Sequence, residues 1–185
     1  MNRGSKKLIS KEFFKQDTLK VAEELIGKLL LVKGVGGIIT ETEAYKDDEA
    51  SHAFKKTPRS SIMYDSYGKV YVYFVYGNHY CLNFTCDDKG PGAVLIRAIK
   101  PTHGIKKMIE RRKTEDLKKL AVGPGRLCQA LDIDESFNGE DLGKRIKVYD
   151  VGLKPRVKRS KRIGIKKATH LEWRFYDPDS EFISK

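Results

Sequence analysis

Glu41-Thr42-Glu43-Ala44-Tyr45 sets two carboxylates and a phenol at alternating positions directly after the apolar pair Ile38-Ile39. In an extended strand Glu41, Glu43 and Tyr45 share one face, with Thr42 and Ala44 on the other. Carboxylates on a buried face are costly unless partnered; a solvated face or a charge-protected edge strand is the plainer alternative. Arg97 poses the complementary problem, because it interrupts the apolar run Val94-Leu95-Ile96-Arg97-Ala98-Ile99. A guanidinium in such a strand calls for a carboxylate, and Glu43 or Glu41 is the candidate. A strand-end arginine reaching solvent is the alternative.

Aromatic side chains form the second concentration. Tyr71, Tyr73, Tyr76 and Tyr80 crowd one short segment beside Asn83. Such rings often only fill a core, but next to positive charge they are also what base stacking requires. Alternation puts Tyr73 and Tyr76 on opposite faces, and a tyrosine at a hairpin tip can wedge between base pairs. His52 stands in the polar loop that follows Tyr45. Lys154 to Lys167 carries eight basic residues and no acid, which reads either as a solvated surface or as a phosphate-contacting one. Gly123-Pro124-Gly125 before a helix can offer backbone amides to a phosphate, or be a plain loop.

The elements that must hold these residues follow from the pattern. Asp17 or Thr18 caps a helix carrying Leu19, Ala22, Leu25 and Ile26, stopped by Gly27. Lys28 to Lys33 reads as a buried strand, Gly34 to Gly37 as a turn, and Gly37 to Tyr45 as a strand. Val70 to Tyr76 is the strongest strand signal, with Gly77-Asn78 turning into Tyr80 to Thr85. Val94 to Ile99 is a further strand that Pro101 ends. Helices follow over Ile105 to Lys113 and after Gly123-Pro124-Gly125, with Leu127, Cys128 and Leu131 inward. Ile146 to Val151 is a strand, and Leu171 to Phe182 holds one or two more. Hairpins mixed with segregated helices predict an α+β fold: a mostly antiparallel curved sheet, flanking helices and a protruding hairpin.

The chain has 185 residues with 37 Lys plus Arg against 25 Asp plus Glu, a net charge of +12. That length predicts a single domain over 1–185, with residues 1–9 and 184–185 as flexible tails. The charge points to a polyanion, nucleic acid first and an anionic membrane surface second. No apolar run approaches the roughly 20 residues of a bilayer span, and the basic start leads into no apolar stretch. A cytoplasmic protein is expected, nucleoid-associated if bacterial. Cys81, Cys86 and Cys128 have no metal or disulfide spacing and read as buried thiols.

At these residues the sequence resembles the 3-methyladenine (alkyladenine) DNA glycosylase family. The matching stretches are Glu41 to Tyr45, Asp48 to His52, Thr57-Pro58-Arg59, Val70 to Tyr73 through Tyr76-Gly77, Val94 to Ala98, and Gly123-Pro124 through Leu127 to Leu131. They run in family order over nearly the whole chain. The resemblance implies a single-domain α+β fold without metal or cofactor, acting on double-stranded DNA that contains damaged purines. It implies Glu43 as the group activating water, with Arg97 beside it. Tyr45, His52 and Tyr73 would line the pocket and sandwich an extruded base. Asn83 would stand where the exocyclic amine of normal guanine is rejected, and Tyr76 would fill the gap in the duplex. Only Lys46 to Ser51 separates Tyr45 from His52, where the family usually has a longer loop that often carries a glycine.

That expectation is a monofunctional glycosylase, a monomer without lyase activity, leaving an abasic site for base excision repair. Its rival is a non-catalytic nucleic-acid-binding module, which accounts for charge and aromatics but gives Glu43 and Arg97 no purpose. A membrane-surface protein would need a basic amphipathic helix with large apolar anchors, which the pattern lacks.

Overall fold

The computed structural model describes residues 6–184. Among these, nine strands form one antiparallel sheet. They are β1 (Lys7–Leu8), β2 (Leu29–Val32), β3 (Val35–Tyr45), β4 (Val70–Val75), β5 (His79–Thr85), β6 (Ala93–His103), β7 (Ile146–Asp150), β8 (Lys158–Ser160) and β9 (Arg174–Tyr176). The order is β1-β7-β2-β3-β6-β5-β4, with β9 on the far half of β3 and β8 beyond it. Helices α1 (Thr18–Glu24), α2 (Ser61–Asp65), α3 (Ile105–Arg112), α4 (Leu117–Leu120) and α5 (Pro124–Leu131) flank the sheet. The expected α+β fold with a curved sheet and a protruding hairpin is what forms. No helix among the described residues is long and apolar enough to cross a membrane.

Local chemistry explains most boundaries. Asp17 caps α1 by accepting the Leu19 N–H at 2.9 Å, and Val21, Ala22, Leu25 and Ile26 are buried beneath it. The β2–β3 turn is Lys33-Gly34, both with positive φ, the geometry that matches strand twist in two-residue hairpins. It is therefore tighter than the Gly34-to-Gly37 turn expected from composition. Gly36 and Gly37 belong to β3 because neighbouring backbones press on them. A Cβ at Gly36 would lie 1.9 Å from the Leu30 carbonyl oxygen, and one at Gly37 2.0 Å from that of Lys100.

Pro101 does not end its strand. β6 runs on to His103 and Pro101 pairs with Gly37. On its other edge β6 is bonded by the 121–123 loop only as far as Ile99, so proline meets an edge that needs no donor. The short helix α2, inside a segment read as turn-rich loop, was not foreseen. The ends are anchored where described: Lys7 and Leu8 pair with Asp150 and Tyr149, and the Ser184 N–H is hydrogen-bonded. Residues 1–5 and 185, the rest of the expected tails, lie outside the described range.

The sheet separates two environments. Val70, Val72, Leu82 and Phe84 join Leu127, Cys128 and Leu131 of α5 in the main core. The alternate residues of β4 turn the other way, where Tyr71 packs with Ala53, Met63 and Ala93, flanked by Tyr45 and Tyr73. On this second face the register lines up Tyr71, Asn83, Leu95, Glu43 and Arg174 as successive partners across five strands.

Candidate active site

Two bulges set the geometry. Along β3 and β6, Glu43 pairs with Leu95 and Thr42 with Ile96, but Glu41 pairs with Ala98, leaving Arg97 as an extra residue. Ile39 then pairs with Ile99, so Thr40 is extra on the opposite strand. A bulge re-aims the side chain of its extra residue. Arg97 accordingly lies between both carboxylates: Nε is 3.3 Å from Glu41 Oε1 and a terminal nitrogen is 3.3 Å from Glu43 Oε2. Both glutamate side chains are fully buried, so the solvated-face alternative does not hold. The candidate partnership of Arg97 with Glu43 or Glu41 is realised with both.

Glu43 is held on every side. Oε2 accepts the Tyr45 hydroxyl at 2.8 Å, and Oε1 accepts the Ile163 backbone N–H at 2.7 Å. Burial pushes its pKa above the usual carboxylate range, opposed chiefly by Arg97 and the Ile163 N–H. Burial and the adjacent Glu43 raise that of Tyr45, keeping the phenol protonated as a donor. Glu41 has a different set of partners: Arg174 Nε at 2.6 Å, Arg97 Nε, and the Ser184 N–H at 2.8 Å on the other oxygen.

A cleft of about 330 Å³ opens in front of this cluster, lined by Tyr45, His52, Tyr73, Tyr76, Arg97 and Ile163 among others. Arg97 and Ile163, which touch the Glu43 carboxylate, both line it, so Glu43 sits one group behind the wall. A small pocket continues beside it toward Asn83, between Tyr45, His52, Tyr71 and Tyr73. The Asn83 amide nitrogen donates to the Tyr71 and Cys81 carbonyls, leaving its oxygen end for the pocket. His52 packs edge-on to Tyr73 with ring centroids 4.6 Å apart, and its Nδ1 is 2.8 Å from the Tyr71 hydroxyl. Burial and the nearby Arg59 charge lower its pKa, favouring the neutral ring. The short loop before His52 works because Ser51 caps a single 3-10 turn, accepting the Ala53 N–H at 3.0 Å.

All seven residues singled out for chemistry thus surround one cavity system, and Tyr76 stands at its rim. Its side chain is 84% exposed at the hairpin tip, with φ of 53°. A bulky residue in left-handed backbone on open surface costs stability without any packing return. Sequence reasoning missed Arg174, Ile163 and His79, a second histidine in the cleft wall, and gave Asp48 no role of its own. It also misplaced Arg162, which lies in the basic run expected at the surface but whose side chain is fully buried. The only sequence signal was the apolar-glycine step Ile163-Gly164-Ile165 that breaks this run. Gly123 does not offer a free amide either, since its N–H donates to the Arg97 carbonyl at 2.9 Å.

Comparison with known proteins places the chain in a family. The family model described as methylpurine-DNA glycosylase matches residues 12–181. A protein of Rhizobium johnstonii, provisionally named a 3-methyladenine DNA glycosylase, is 47% identical over 178 residues, covering 95% of this chain and 88% of its own. Proteins of Agrobacterium fabrum and Prosthecochloris aestuarii under the same provisional name are 44% and 42% identical, covering 100% and 96% of this chain and 96% and 91% of theirs. With a fully buried Glu43 paired to Arg97 behind an aromatic cleft, and a match spanning nearly its whole length, the chain belongs to the methylpurine-DNA glycosylase family.

Proposed function

We propose that this protein is a DNA glycosylase that extrudes alkylated or deaminated purines of the 3-methyladenine type from duplex DNA and hydrolyses the N-glycosidic bond. The observation that carries the reading is the buried Glu43, braced by Arg97, Tyr45 and the Ile163 N–H directly behind a cleft walled by Tyr45, His52 and Tyr73.

A base inside a duplex is beyond the reach of such a cleft, so the nucleotide must rotate out of the stack. Tyr76, exposed on the hairpin, fills the gap left behind. The extruded purine lies between Tyr45 on one side and His52 with Tyr73 on the other. A water at the Arg97–Ile163 wall is deprotonated by Glu43, which also stabilises the oxocarbenium-like sugar as the bond breaks. Arg97 favours the ionised carboxylate against the burial that opposes it. A purine alkylated at N3 or N7 is already cationic and departs without a protein acid. Its stacking on tyrosine adds cation–π attraction of roughly 0.5–2 kcal/mol. That margin is too small to find rare lesions, so selectivity comes mainly from easier extrusion of damaged bases and from crowding at Asn83. Water is the attacking nucleophile rather than a protein amine, a reading supported by the absence of lysine from the cleft wall among the described residues. An abasic site is left intact for base excision repair, by a monomer that needs no metal or cofactor.

Glu43→Gln tests this directly. Free bases and alkali-sensitive sites should no longer appear from methylated duplex, while duplex binding persists. Release at the wild-type rate would remove Glu43 from catalysis.

A further inference from the structure

Arg162 is the least expected residue of the site. Within a run of surface cations its guanidinium is wholly enclosed and forks onto Asp48, at 2.7 Å from Oδ1 and 3.1 Å from Oδ2. A third contact goes to the Ala44 carbonyl at 3.0 Å. The same guanidinium lies 4.7 Å from the centroid of the Tyr45 ring and 5.1 Å from that of Trp173. Arg162 lines neither cavity, whereas Tyr45 lines both. Asp48 has one more duty: Oδ1 accepts the Ala50 N–H at 3.0 Å, in the turn that leads to His52.

We infer that Asp48 and Arg162 form a neutralised brace behind Tyr45, Arg162 fixing the ring and Asp48 cancelling its charge so that a cationic purine can stack in front. The inference rests on the base-pocket reading of Tyr45. An uncompensated guanidinium behind a stacking ring competes for the same π electrons and repels a cation on the cleft side. At about two stacking distances, roughly 8 Å, and an effective dielectric of about 20, one unit charge changes the binding of a cation by roughly tenfold to thirtyfold. A neutral purine feels little of this. The pair is therefore a positioning and specificity element for the alkylated, positively charged class of lesion, one ring removed from the substrate.

Asp48→Asn is the informative change, because the amide oxygen still accepts the Ala50 N–H and one Arg162 N–H at the Oδ1 position, while an NH2 in place of Oδ2 opens the other arm of the fork and the charge is deleted. Binding is measured to three short duplexes: one with 7-methylguanine and one with hypoxanthine, each on a 2′-fluorinated sugar that resists hydrolysis, and one undamaged. Mildly acidic buffer keeps the methylated guanine cationic. Asp48→Asn is expected to weaken binding of the methylguanine duplex relative to the hypoxanthine duplex by roughly tenfold. Asp48→Asn combined with Arg162→Gln, which removes both charges, should return that ratio to near the wild-type value. The ratio of two Kd values on one preparation does not depend on how much of it is folded. An unchanged ratio in Asp48→Asn, or a double variant as biased as the single one, overturns the counter-charge role. Wild-type protein that binds all three duplexes equally overturns the pocket reading itself, a distinguishable failure.

Discussion

Replacing Glu41 by Gln separates two jobs that one carboxylate holds. Three donors converge on Glu41: the Nε atoms of Arg97 and Arg174 and the Ser184 N–H. A Gln side chain offers one acceptor oxygen and presents an NH2 to the remaining donors, leaving the buried Arg174 without its counter-ion and Arg97 with Glu43 alone. Breaking one partner out of a buried ion-pair network costs about 3–5 kcal/mol. For a domain of this size that is roughly 6–20 °C in Tm. The second consequence is electrostatic. Glu41 is one of the groups that raise the Glu43 pKa, after the larger effect of burial. Removing its charge leaves Arg97 wholly to Glu43, so the Glu43 pKa must fall. In the proposed mechanism base release needs ionised Glu43, so the acid limb of its pH–rate profile should move to lower pH. Thermal melting reads the first effect, and single-turnover release from methylated duplex across acidic pH reads the second. An acid limb that stays or moves upward would show that Glu41 does not act on Glu43 through charge, whatever happens to stability.

Other consequences are simpler to score. The raised pKa of Glu43 means that its contribution to stability is full below the unfolded value near 4.3 and is lost as pH rises through the folded value. The stability of Glu43→Gln relative to wild type should then increase from acidic to neutral pH in urea titrations; a flat or opposite trend contradicts a raised pKa. Tyr76→Asn places a residue that tolerates left-handed backbone at the hairpin tip. Tm should hold or rise slightly while release from damaged duplex drops by roughly tenfold or more, and undiminished release would end the wedge role. Gly37→Ala forces a Cβ onto the Lys100 carbonyl oxygen, costing about 3 kcal/mol or more. The urea midpoint should fall accordingly, and an unmoved midpoint would mean that β3 and β6 separate easily.

The sequence by itself determined which side chains are candidates and which elements carry them. Asp17 as a cap, the alternation of Val70 to Val75, the turn at Gly77 and the apolar face of α5 all express local rules, and those elements form where the pattern places them. Even Glu43 and Arg97 were visible, because a charge inside an apolar run announces itself. Only the tertiary structure decided how these charges are shared. Whether Arg97 serves Glu41, Glu43 or both depends on two bulges, at Thr40 and Arg97, which offset each other between strands far apart in sequence. Alternation within one strand contains no information about an extra residue in its partner. The same holds for Arg162, which composition counts among surface cations and which Tyr45 and Asp48 from one segment and Trp173 from another enclose. The cost of burying a charge depends on what surrounds it, and that is fixed only when the chain closes on itself.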